Sequence, residues 1–230
     1  MKIIALGDLH GRTDWKDIMT KESDADLYVL IGDYFDTHEN ISAARQISNF
    51  KDIIAYKKAN MEKVILLFGN HDEHYLRTSR EKYSGYQPLH KIDIQEVLHS
   101  AIDDNLMQMC YISGNILFVH AGVSKTWCKE HDIDMKNIEQ SINDLFKHKP
   151  NSFGFIMGDN CDMYGDDICQ SPTWIRPQSL LKDKIDGYIQ VVGHTTMQKI
   201  KPINDVYVID TLGTSGEYLK IIDGVISVVK

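Results

Sequence analysis

The sequence predicts an α/β fold in which two mixed β-sheets pack face to face with helices on both outer faces, a four-layer αββα sandwich. Three observations carry this reading. Five hydrophobic runs, continuously apolar and rich in β-branched residues, each end in a short loop carrying Asp, Asn or His. Runs of that kind read as strands buried on both faces. Amphipathic helical patterns fill several gaps between them, which makes the chain alternate β and α. Beyond His194 the pattern changes to short strands separated by Gly-containing turns, as in antiparallel pairs.

The first strand, residues 3–6, runs into Gly7-Asp8-Leu9-His10-Gly11. Thr13 is then placed to cap a helix whose apolar face is Trp15, Ile18 and Met19. Residues 28–31 form the second strand and end at Gly32-Asp33-Tyr34-Phe35-Asp36, and Ile47, Phe50 and Ile54 mark the helix that follows. The third strand, residues 64–68, opens into Gly69-Asn70-His71-Asp72. Another helix carries Ile94, Val97, Leu98, Ala101 and Ile102, and residues 116–119 form the strand before His120-Ala121-Gly122. Asp134 is the expected cap of a helix bearing Met135, Ile138, Ile142, Leu145 and Phe146, closed by Pro150. Residues 189–192 lead to Gly193-His194, and residues 206–209, 218–222 and 225–229 form the antiparallel strands. A Gly beside each polar loop residue is expected to let the chain leave the strand through backbone angles other residues resist.

Residues 73–91, with Arg77, Arg80, Tyr83, Tyr86 and Pro88, lack clear periodicity, as do residues 150–173, with Gly154, Gly158, Gly165 and clustered acids. Both are expected to border the site. The acids of residues 159–167 do not fall at calcium-loop spacing, and the closing Glu is absent, so this is read as an ordinary acidic loop.

With 230 residues, 43% of them hydrophobic, the chain can bury a sizeable core, and one domain over residues 1–230 is expected. No run approaches the ~18 apolar residues of a membrane span. The start Met1-Lys2 leads straight into a strand, unlike a signal peptide, so a cytoplasmic protein is expected. Cys110, Cys128, Cys161 and Cys169 lie too far apart for a C-x-x-C zinc pair and are expected to be thiols. A net charge of -8 and pI near 5.6 argue against grip on a nucleic-acid backbone. They leave room for a phosphorylated substrate: two divalent cations against Asp8, Asp33 and a hydroxide leave a local excess of about one positive charge. Nothing in the sequence sets the oligomeric state.

Carboxylate, amide and imidazole donors with no thiolate suit borderline-hard ions, Mn²⁺ first, with Fe and Zn²⁺ as alternatives. Two such ions about 3.5–4 Å apart hold a hydroxide between them and clamp a phosphoryl group for in-line attack. Asp33 is the candidate bridge, with Asp8 and His10 on one metal and Asn70, His120 and His194 on the other. His71, directly after a ligand position, is the candidate general acid for the departing oxygen. Asp36 would hold its other ring nitrogen. Arg176, in the segment Pro172-Thr173-Trp174-Ile175-Arg176-Pro177, is the candidate phosphate contact together with Asn70.

These residues resemble the calcineurin-type metallophosphoesterases: G-D-x-H-G at 7–11, G-D-x-x-D at 32–36, G-N-H-D at 69–72, H-A-G at 120–122 and G-H-T at 193–195. The match spans most of the chain. Within that superfamily the chain is most similar to the Ser/Thr phosphoprotein phosphatases and the symmetrical dinucleoside tetraphosphatases, on G-D-L-H-G, Phe118 to Val123, W-I-R-P, and Val192 to Thr195 followed by Asp210-Thr211. The resemblance implies that Asp8, His10, Asp33, Asn70, His120 and His194 are metal ligands and His71 the catalytic acid. One departure stands out. The second motif of that branch continues with Arg-Gly, its Arg gripping phosphate, whereas here Thr37, His38 and Glu39 follow Asp36. Arg12, Arg45, Arg77, Arg80 and His38 are the candidates to compensate.

The expected function is hydrolysis of phosphomonoesters on protein or small molecules. The alternatives are hydrolysis of dinucleoside polyphosphates or phosphodiesters, and a scaffold that has lost catalysis. His38 is read as an exposed loop residue, and His74, His90, His99, His131 and His148 as ordinary histidines. Asp72 and Glu73 are read as acids at a helix start.

Overall fold

The computed structural model describes residues 1–76, 82–158 and 160–230. Among these residues the first sheet contains β1 (Lys2–Leu6), β2 (Leu27–Leu30), β3 (Val64–Leu67), β4 (Met107–Gln108), β10 (Tyr218–Ile222) and β11 (Val225–Val229). Its order is β11-β10-β1-β2-β3-β4, parallel from β1 to β4 and antiparallel through β10 and β11. The second sheet contains β5 (Cys110–Ser113), β6 (Ile116–Val119), β7 (Ile189–Val192), β8 (Pro202–Ile203) and β9 (Val206–Val208). Its order is β5-β6-β7-β9-β8, with a parallel centre and antiparallel edges. Both sheets are mixed, as the sequence pattern implies.

Strand periodicity divides the core into layers, because successive side chains point to opposite faces. Ile3, Ala5, Val29, Ile31 and Leu67 of the first sheet join Ile116, Phe118 and Val191 of the second in one apolar cluster between the sheets. The alternate residues Ile4, Leu6, Tyr28, Leu30 and Leu66 belong to the larger cluster with helix residues such as Trp15, Phe50 and Leu98. Those come from α1 (Asp14–Lys21), α2 (Ala43–Ala59) and α4 (Lys91–Asp103), which cover the outer face of the first sheet. α3 (Asn70–Leu76) and α5 (Lys125–Glu130) follow strand-end loops, while α6 (Ile138–His148) contacts β5 and α7 (Pro177–Asp183) contacts β9. Among the described residues no helix is long and apolar enough to cross a membrane.

Two capping expectations need correction. α6 starts at Ile138 with Asn137 as its cap residue. Asp134 instead accepts hydrogen bonds from the Lys136 N–H and the Asn137 side chain, so its carboxylate stabilises the preceding turn and delays the helix. Thr13 does precede α1, but its side chain makes no capping bond; Asp14 and Asp17 supply negative charge to the first turn.

Candidate active site

The five polar loops all leave the carboxyl ends of parallel strands, the side of an α/β sheet where ligand crevices form. Asp8 and His10 follow β1, Asp33 and Asp36 follow β2, Asn70 and His71 begin α3 after β3, His120 follows β6, and His194 follows β7. Four of these residues themselves adopt left-handed backbone angles: His10 (φ 46°), Asp33 (52°), Asp36 (59°) and His194 (62°). Strain of that sort persists only where the surroundings over-determine it. The role expected of the neighbouring glycines is therefore partly corrected. At Gly69 and Gly193 the requirement is space: a Cβ at Gly69 would overlap the Asp33 carboxylate, and one at Gly193 the Asp8 carboxylate. Each acid is pressed against the backbone of a later loop.

Asp33 is the centre of the arrangement. Its Oδ1 accepts a hydrogen bond from the His71 backbone N–H (2.9 Å), and its Oδ2 lies 3.4 Å from His120 Nε2 and 3.7 Å from His10 Nε2. His10 Nε2 is also 4.0 Å from Asp8 Oδ2. The rings are oriented from behind: His10 Nδ1 is 2.9 Å from the Phe35 carbonyl and His120 Nδ1 is 2.8 Å from the Ile31 carbonyl. A ring that donates Nδ1–H to a carbonyl keeps a lone pair at Nε2, aimed inward. Asn70 Oδ1 lies 2.9 Å from both His120 Nε2 and His194 Nδ1, and His194 Nε2 is buried with no hydrogen-bond partner among the described residues. The Asp8 carboxylate accepts from the His194 backbone N–H (2.9 Å), tying the first loop to the last.

This donor set fits divalent cations. Asp8, Asp33 and His120 present donor atoms that all lie within 4.8 Å of one another. The lone pair on His120 Nε2 and the Asn70 amide oxygen would repel at 2.9 Å unless a proton or a cation mediates between them. Without a cation that proton sits on His120 itself: burial opposes its charge, but the Asp33 carboxylate outweighs this and raises its pKa. Burial, together with the Asp210 and Asp33 carboxylates, pushes Asp8 well above the usual carboxylate range. Burial also opposes the charge on Asp33, but His120 and His71 outweigh it and hold that carboxyl well below its ordinary value. Burial, His120 and Arg176 keep His194 well below its usual value, in the neutral form that ligates metals. Hard oxygen and imidazole donors of this kind are what Mn²⁺, Fe or Zn²⁺ would take.

Beside this cluster His71 Nδ1 lies 3.1 Å from Asp36 Oδ2, leaving Nε2 for the substrate side. Burial opposes protonation of His71, but Asp33 and Asp36 outweigh it and raise its pKa. Asp36 is itself braced by Tyr75 Oη (2.5 Å) and Gln87 Nε2 (3.2 Å) on Oδ1. The reading of His74 as an ordinary histidine is overturned: fully buried, its Nε2 lies 2.7 Å from the same Asp36 Oδ2. The Tyr83 backbone N–H donates to its Nδ1 (3.2 Å). Asp72 is likewise more than an acid at a helix start. Its carboxylate accepts from the backbone N–H groups of Gly69 (2.9 Å), Asp33 (2.9 Å) and Tyr34 (2.8 Å), pinning the second loop to the third. Burial and the nearby Asp33 charge push Asp72 up to about 7. Neither role has a local signature, since both depend on loops that meet only in the folded chain.

The site opens into a cavity of about 930 Å³. Arg176 lines it, with its guanidinium 5.8 Å from the centre of the Trp174 ring and its Nε buried with no hydrogen-bond partner among the described residues. Of the candidates to replace the missing arginine, Arg12 and the exposed His38 also line the cavity. The Arg12 guanidinium is held by Glu39, with Nε 2.7 Å and Nη2 2.5 Å from Oε1. Arg45 lines an adjoining cavity shared with Arg12 and Glu39, while Arg77 and Arg80 lie outside the described residues. A separate cavity of about 620 Å³ beneath Phe68, Met107 and Phe146 brings together no such cluster, and its Glu139 and Asn143 bind backbone N–H groups of Ile112, Met109 and Cys110.

Residues 1–198 match the family model described as calcineurin-like phosphoesterase. Among solved structures, the chain is similar to a cold-active protein-tyrosine phosphatase of a psychrophilic Shewanella species, at 20% identity and a TM-score of 0.61 over all of this chain and 80% of that one. It is similar also to a protein serine/threonine phosphatase from Saccharomyces cerevisiae, at 12% identity and a TM-score of 0.61, over all of this chain and 80% of that one. At these identities the likeness is one of fold. No curated protein matches the chain.

Proposed function

The chain belongs to the calcineurin-like phosphoesterase family, and on that premise we propose that it hydrolyses phosphomonoesters carried by protein or small molecules, with His71 as general acid. The observation that carries the reading is the convergence of Asp8, His10, Asp33, Asn70, His120 and His194 around one carboxylate, beside an imidazole braced by Asp36. Those six residues would hold two divalent metal ions. Bound there, such ions supply positive charge to the phosphoryl oxygens and acidity to a nucleophilic water.

The rest of the chemistry falls to the side chains. Water adds its oxygen to phosphorus as the bond from phosphorus to the ester oxygen breaks. His71, its pKa raised by Asp33 and Asp36 against the effect of burial, gives its Nε2 proton to the departing oxygen, so the alcohol leaves neutral. Asp36 fixes the tautomer and holds the ring in place. Arg176 offers a guanidinium to the non-bridging oxygens, stiffened by Trp174 and Pro177. Asp72 keeps the Asp33 and Asn70 loops in register.

A second reading has its own observation. Thr37 stands where an arginine would, and Arg12, which lines the cavity, is paired to Glu39. That favours singly charged diesters or the anhydride links of dinucleoside polyphosphates. A panel of p-nitrophenyl phosphate, its bis ester, a phosphopeptide and a dinucleoside tetraphosphate, assayed with Mn²⁺, separates the two. Turnover of monoesters supports the first reading; turnover of the anhydride with monoesters inert overturns it. Inactivity on all four with metals bound would support a scaffold.

A further inference from the structure

One wall of the catalytic cavity is apolar and built from three separate segments. Tyr83, Phe155 and Trp174 form a continuous aromatic group, with ring centroids 4.6 Å apart for Tyr83 and Trp174 and 4.8 Å for Phe155 and Trp174. The Phe155 backbone N–H donates to Tyr83 Oη (3.2 Å), fastening two of the segments together. Gly165 packs beneath, where any Cβ would press on the Phe155 ring. Met157, 77% exposed, continues the wall at the cavity mouth. The same cavity is also lined by polar groups, among them Arg12, Thr37, Glu39 and Thr214.

The direction of departure follows from the acid. A group that protonates the ester oxygen stands on the leaving side of phosphorus. The His71 ring lies 6.1 Å, centroid to centroid, from Tyr83. Trp174, the next ring in the wall, lies 5.2 Å from His194. An alcohol leaving past His71 therefore enters a cavity that Tyr83, Phe155 and Trp174 line. Half-buried aromatic and thioether side chains inside an otherwise polar, charged cavity favour a flat apolar occupant.

We infer that the leaving-group subsite takes an aromatic ring joined to the ester oxygen directly or through one carbon, so that aryl and arylmethyl phosphates are the preferred monoester class. The inference rests on the phosphoesterase reading with His71 on the leaving side. An aromatic ring could also come from a nucleobase, but a ribose would carry it well beyond Tyr83.

The test uses titration calorimetry of the Mn²⁺-loaded protein with benzylphosphonate, methylphosphonate and adenosine monophosphate, because binding of the phosphonates reports the ring without turnover. Benzylphosphonate is expected to bind about tenfold or more tighter than methylphosphonate, the scale of one well-packed aromatic contact, and tighter than the nucleotide. Met157→Ser and Trp174→Leu should shrink the benzyl-to-methyl ratio to less than about threefold, and since the ratio is formed within each variant, general damage cancels. Met157, being exposed, gives the variant least able to disturb folding. Equal affinities in the wild type overturn the inference, as does a nucleotide bound more tightly than benzylphosphonate. Hydrolysis of ethyl and benzyl phosphate is measured alongside. Turnover without a benzyl preference rejects the subsite and keeps the parent reading. Failure to bind either phosphonate or to hydrolyse either ester rejects both.

Discussion

His74 Nε2 lies 2.7 Å from Asp36 Oδ2, the oxygen that His71 Nδ1 approaches at 3.1 Å, so two imidazoles share one buried carboxylate. These are separations of direct contact. We read the cluster as bracing for His71, the general acid proposed above, with His74 as a positioning residue.

His74→Leu is therefore expected to lower kcat about tenfold, the lower end of the range for orienting partners, with KM and metal content little changed. The loss should be larger for phenyl phosphate than for dinitrophenyl phosphate, whose leaving group needs no proton. His74→Gln, which keeps a donor for Asp36, should recover much of the rate. A loss equal for both esters would show a merely structural role.

His71→Asn should retain its metals and lose turnover by ~100-fold or more on phenyl phosphate, the scale of general acid catalysis. On dinitrophenyl phosphate the loss should nearly vanish. Full activity on phenyl phosphate would refute the role given to His71. Combining it with His74→Leu should add little, since both act on one proton transfer.

Acid stability should depend on Glu22, far from the site. Burial opposes its charge, but hydrogen bonds with Lys2, Lys220 and Tyr218 outweigh that and hold its pKa at about 2, against an ordinary value of 4.5. A carboxyl depressed in this way stabilises the fold fully above pH 4.5, and that contribution is lost as pH falls through the interval down to about 2. Glu22→Gln should cost about 2 kcal/mol at neutral pH and flatten the urea midpoint across that interval. A variant that follows the wild-type pH profile would remove Glu22 from the account.

The fold and the donors proposed for metal were legible because both write themselves locally: apolar runs set strands, and the loops after them carry Asp, Asn and His in a chain order that parallel strands bring to one edge. What was not legible depends on contacts between loops distant in sequence. His74 and Asp72 occupy ordinary helical positions, and only the approach of Asp36 and of the Asp33 and Tyr34 backbone reveals what they hold. Gly69 and Gly193 were read for backbone freedom, whereas the structure uses their missing side chains as space for Asp33 and Asp8. Left-handed angles fall instead on His10, Asp33, Asp36 and His194, residues to which the proposed function gives the chemistry. Asp134 misled because a carboxylate that can cap a helix can equally well stabilise the turn ahead of it.

The central claim is that Asp33 holds two metal ions together and that hydrolysis depends on them. Elemental analysis of the wild type and of Asp33→Asn, after dialysis from Mn²⁺ and with p-nitrophenyl phosphate turnover recorded on the same samples, tests it most directly. The account predicts two manganese ions per wild-type chain, a reduced content in Asp33→Asn, and a rate that falls with it. Unchanged stoichiometry in Asp33→Asn, or full turnover by metal-stripped wild type, would contradict it.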